Sequence, residues 1–153
     1  MLWDYQDVVD AITRRIGTVS GIGNVHSGRM FTQDGDEFKA IHFCESQNRI
    51  HSWTVTRERV SDEQVATGNT HDVVHSFRIR GQMAMLNNIN SDLQFQKLVN
   101  GVANALDDDG DLDGVCELQF PVQVEQITER DFYEIIVHYC ELTLEVREHH
   151  KST

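Results

Sequence analysis

The chain has 153 residues, of which 39% are hydrophobic and 25% charged, with a single proline; that balance suits one folded domain burying about two-thirds of the surface its unfolded form would expose. No apolar run approaches the roughly 20 residues needed to span a bilayer, and residues 1–7 lack the basic and apolar regions of a secretory leader, so the protein is expected to work where it is made, with no membrane partner. The formal charge of −12 opposes a surface built to hold phosphate backbones, although not one that DNA passes without sticking.

Leu2, Tyr5, Val8, Val9, Ile12 and Ile16 recur at helical spacing, with Asp4, Asp7 and Asp10 towards one end and Arg14 and Arg15 towards the other. That charge order suits the helix dipole and predicts a helix over about 2–16, stopped by Gly17. Residues 17–28 carry four glycines and read as a loop. Residues 29–31 and 38–44 then form the two strands of a predicted hairpin around a turn at Asp34-Gly35-Asp36. A strand over 50–59 places Trp53 and Val55 on one face. Ser61 to Asn69 is polar, contains Gly68, and reads as a loop that links two long strands and could project as an arm.

From 70 to 85 the alternation is regular. Val73, His75, Phe77, Ile79 and Met83 share one face, and Asp72, Ser76, Arg78, Arg80 and Gln82 the other, the pattern of a sheet covered on one side. Ser91, with Gln94 three residues on, predicts a capped helix at about 91–106, its stripe made by Phe95, Leu98, Val102, Ala105 and Leu106. Residues 107–114 read as loop, and 115–119 with 122–127 as further strand broken at Phe120-Pro121. A last strand from 132 to 146 carries Phe132, Ile136, Cys140, Leu142, Leu144 and Val146 on one face and Ile135, Val137 and Tyr139 on the other, so its first half is expected to lie centrally in the sheet or to be covered by a neighbouring subunit. The polar segment 148–153 is expected to be a tail that is mobile or contacts a neighbour. The fold class is therefore α+β: a mixed, mostly antiparallel sheet packed by an N-terminal helix and a second helix at about 91–106, in a single domain.

Motifs for chemistry are sparse. Asp109-x-Asp111-x-Asp113-Gly114 matches the first half of a calcium-binding loop, but the twelfth position, where a bidentate Glu is required, is Phe120; a solvated acidic turn is the better account. His71 and His75 would lie roughly 13 Å apart along a strand at about 3.3 Å per residue, too far to share one ion, and the remaining histidines show no ligand spacing. Cys44, Cys116 and Cys140 are an odd, scattered set that reads as buried free thiols. No nucleophile elbow or phosphate-binding loop occurs, and Gly21-Ile22-Gly23 lacks the final glycine of a dinucleotide fingerprint. Neither a catalytic group nor a cofactor or metal site is predicted, and the chain is not expected to be an enzyme.

The succession of a helix, a glycine-containing loop, a hairpin ending in Phe38-Lys39-Ala40-Ile41-His42-Phe43, long strands flanking an acidic loop, a capped helix and the closing segment Asp131-Phe132-Tyr133-Glu134-Ile135-Ile136-Val137-His138-Tyr139 resembles the tail terminator proteins of long-tailed bacteriophages. The resemblance covers nearly the whole chain in order of elements. It implies a structural virion protein at the head-proximal end of the tail, assembled in the host cytoplasm as a homo-oligomeric ring, a hexamer, that caps the tail tube, stops its polymerisation and meets the head connector. The implied partners are the tail tube protein and the connector proteins, with DNA passing an acidic lumen unbound. Candidate contact loops are Asp34, Gly35, Asp36 and Glu37, and Ser61, Asp62, Glu63, Gln64 and Gly68. A connector or completion protein, or a tail tube subunit, remains an alternative, and a small-ligand or metal-binding module a more remote one.

Overall fold

Alternation over 70–84 gives the expected half-buried strand, and that strand sits in the middle of a seven-stranded sheet. The computed structural model describes residues 5–64, 70–86, 89–107, 112, 118–119 and 121–151. In chain order the elements are α1 (Tyr5–Gly17), β1 (Asn24–Ser27), α2 (Gly35–His42), β2 (Phe43–Cys44), β3 (Arg49–Gln64), β4 (Thr70–Ala84), α3 (Ser91–Asp107), β5 (Leu118–Gln119), β6 (Gln123–Phe132) and β7 (Ile135–Lys151). The strands run β1-β3-β4-β7, with β5 and β6 both on the far side of β7 and the short β2 beside the start of β3. β1 is parallel to β3 and the other pairings are antiparallel. The chain is an α+β domain with a mixed, mostly antiparallel sheet, as its periodicities indicate.

Helices α1 and α3 cover one face, here called the inner face. Val8, Val9, Ile12 and Ile16 of α1 and Phe95, Leu98, Val99, Val102 and Leu106 of α3 meet Trp53, Val55, Phe77, Ile79, Met83, Cys140, Leu142, Leu144 and Val146 in a single cluster. Register explains the match: Val55, Ile79 and Leu142 are neighbours across three strands, as are Phe77 and Leu144, so each strand contributes its apolar side to the same layer. Trp53 and Phe95 stack with ring centroids 6.0 Å apart. Among the described residues no helix is long and apolar enough to cross a membrane.

Several expectations fail. Residues 35–42 form helix α2 instead of a hairpin strand. The signal was an N-cap: Asp34 accepts the Glu37 N–H at 2.9 Å, and the Glu37 carboxylate accepts the Gln33 N–H at 2.8 Å, a reciprocal arrangement close to a capping box. Phe38 and His42, four apart, are the buried side of this helix, which a period of two counts equally well. Residues 24–27, expected as loop, form the short parallel strand β1.

The third failure is the closing strand, which does not start at Phe132. Tyr133 and Glu134 form a two-residue turn, both at positive φ (56° and 68°), between the pair Phe132 and Ile135 that ends the β6–β7 hairpin, the geometry of a primed turn. The fourth is the supposed mobile tail: β7 continues to Lys151, and Glu148 is buried. The helix at 91 starts where expected but is capped by Asn90, whose side-chain oxygen accepts the Leu93 N–H at 3.1 Å; the Ser91 hydroxyl instead accepts the Leu86 N–H.

Candidate functional site

The outer sheet face is polar along its centre and closed by α2 at one end. Phe38 packs there with Ile50 and Val137, and with Phe132, Ile135 and Ala84 at the margin. Val137 and Tyr139 are buried on this face of β7 and His138 and Cys140 on the other, whereas Ile136, at the start of the strand, is 55% exposed. Beside α2 the face carries an ion network. Arg78 meets Glu58 and Glu141, each at 2.9 Å, and Arg80 meets the same two carboxylates at 3.0 and 3.5 Å. The bulge between Arg57 and Arg59 sets Glu58 beside this ladder. Burial works to raise the Glu141 carboxyl, but the Tyr139 hydroxyl and the two guanidinium groups outweigh it and hold the acid below its ordinary value. Burial and the Glu141 carboxylate push the Tyr139 phenol up to about 12.

Between this network and the 29–32 segment lies an open cavity of about 550 Å³. Arg29, Arg80 and Arg130 line it, together with Gln82, His42, Phe31 and Tyr133. Arg130 lies over the Tyr139 ring at 4.0 Å, and the Tyr133 hydroxyl donates to the Thr32 carbonyl at 2.6 Å, tying the hairpin turn to the segment before α2.

The buried histidines are structural. Trp53 Nε1–H can only donate, so His51 Nε2, 3.0 Å away, accepts, and His51 Nδ1–H donates to Gln47 Oε1 at 2.7 Å. That ring is neutral, its pKa lowered to about 4 by burial and then by Arg49. His42 is likewise lowered to about 4 by burial and then by His26, and its Nδ1 meets Ser52 Oγ and Gln82 Nε2 at 2.6 and 2.8 Å. His138 stacks on Phe95 and bonds Ser91 Oγ at 2.9 Å, and burial lowers its pKa. His75 contacts the Glu148 carboxylate at 2.7 Å in a fully enclosed pair. Cys44 and Cys140 are buried free thiols, and burial pushes Cys140 up to about 12, the behaviour of a core residue. No group of three metal-ligating side chains converges among the described residues.

The sheet ends in two open edges. β1 pairs only with β3 and β6 only with β7 among the described residues. On β6 the inner face extends past the helices. Val124 and Ile127 are 43% and 40% exposed and lie across from Leu142 and Cys140; Ile136 is exposed on the same side of the hairpin, and Leu93 on α3.

No protein-family model matches this chain. No curated protein sequence matches it significantly either.

The predicted contact loops are placed differently from one another. Asp34, Gly35, Asp36 and Glu37 are the cap and first turn of α2, with Gly35 close against Tyr133, where an added Cβ would lie 3.4 Å from Tyr133 Cβ. Ser61, Asp62, Glu63 and Gln64 belong to β3 and pair with residues 71–74 of β4, so they are ladder and not loop. Gly68 lies outside the described residues, as do Asp109, Asp111, Asp113, Gly114 and Cys116. Spacing predicts strand at Val124 and Ile127 but not the open edge of β6, because which strand lies last in a sheet is not a local property.

Proposed function

We propose that the chain is a ring-forming structural subunit, a tail-terminator-like protein that caps the tube of a long-tailed phage, ends its polymerisation and joins it to the head connector. The supporting observation is the β6 edge: a ten-residue strand with one open side and exposed apolar residues next to it. Such an edge is a template for pairing with another chain unless it is covered. Because β1 is the opposite edge of the same sheet, pairing of β6 in one copy with β1 in the next would be head-to-tail, which closes into a ring when the rotation permits. The resemblance, carried now by the N-terminal helix, the long strands and the capped second helix and no longer by a hairpin strand at 38–43, supports a place for the ring on the tail, with the tube protein and connector as partners and the acidic surface towards passing DNA.

Light scattering on the purified protein across concentrations tests this. A discrete species near six times 17.6 kDa, lost in Ile127→Lys, is the expected result. Open-ended growth would assign the chain to the tube instead. Added to polymerising tube subunits, the protein should cap them and shorten the tubes; unaltered tube lengths together with a monomer at every concentration would rule the proposal out.

A further inference from the structure

We infer that the outer-face cavity binds an organic anion of small-molecule size, a carboxylate or phosphate carried on a flat ring. This does not rest on the ring assembly. The cavity volume, about 550 Å³, falls within the span of small-ligand sites. Its lining carries three arginines against a single acid, Asp131, on a chain whose formal charge is −12. Arg80 is already balanced by Glu58 and Glu141. Arg29 and Arg130 have no ion-pair partner among the described residues. Stacking on Tyr139 orients the Arg130 guanidinium and supplies no negative charge, so its donors remain available to an oxygen anion. Asp131 is engaged elsewhere, accepting the Glu134 N–H at 2.7 Å.

The ring preference comes from the rim. Phe31 is 81% exposed and Tyr133 44%, two aromatic faces at the mouth of a cationic cavity. A flat apolar body covers them while its anionic group reaches the guanidinium pair.

Calorimetry with phenyl phosphate, benzoate, inorganic phosphate and phenol tests the assignment. Saturable binding of phenyl phosphate or benzoate is expected, and whichever binds identifies the anionic group. Inorganic phosphate and phenol, each lacking half the ligand, should bind at least tenfold more weakly. Arg130→Gln and the exposed Arg29→Gln should each weaken the ring anion by about tenfold or more, the usual loss of a charge-assisted contact, with unchanged melting curves as the control for folding. Absence of saturable binding by both ring anions, or equal binding by the double variant, would overturn the inference.

Discussion

Single residues in this protein are constrained by contacts that their neighbours in sequence do not reveal. Gly81 faces the inner layer, where an added Cβ would lie 2.4 Å from the Trp53 ring. Gly81→Ala must displace that fully buried indole, and the expected loss is about 1–3 kcal/mol, read as a lower urea midpoint with red-shifted tryptophan emission. Glu134 is the reverse case, an exposed non-glycine residue at φ 68°; Glu134→Gly should stabilise the fold slightly, by about 0.5 kcal/mol, read as a higher melting midpoint. His42 and His51 set a pH dependence. Both are held near 4 when folded against about 6.5 when unfolded. Between those values the unfolded chain takes up protons that the folded chain excludes, so stability is complete above about pH 6.5 and falls as the pH drops towards 4. Each histidine contributes a slope of about 1.4 kcal/mol per pH unit. Urea midpoints should decline from pH 7 to pH 5, less steeply in His42→Gln; equal midpoints at both pH values would contradict the buried neutral rings.

At the scale of elements, strength of periodicity decided what could be read. α1, β4 and α3 repeat their apolar residues long enough to distinguish a period near 3.6 from one of 2. α2 has eight residues, and Phe38, Ala40 and His42 satisfy alternation as well as Phe38 and His42 satisfy a helical face; the acid pair Asp34 and Glu37 was the deciding local signal. The C-terminal segment failed for another reason. Its charge and histidines read as solvated, yet β4 supplies a ladder partner for each residue from Val137 to Lys151, and His75 supplies a buried partner for Glu148. Removing residues 148–153 should therefore destabilise the domain, and Glu148→Ala alone should cost on the order of 2 kcal/mol by leaving His75 without its carboxylate. A truncated chain that melts with the full-length protein would restore the mobile tail.

For the whole molecule, an apolar edge on a strongly acidic body makes association dependent on salt. Like-charged subunits repel over a distance of roughly 10 Å at 0.1 M ionic strength, so the proposed ring should form more readily at high salt than at low; assembly favoured by low salt would point to paired charges at the interface instead. The sequence by itself determined the class of fold, the inner core and the polarity of the β4 faces, because burial of a strand or helix side is written in its own spacing. Tertiary structure alone decided which strands are edges, where the three arginines and the aromatic rim meet, and that Glu148 is enclosed. Those properties depend on residues brought together from distant parts of the chain, as Arg29 and Arg130 are around the cavity and His75 and Glu148 are in the core, and no local pattern encodes such a meeting.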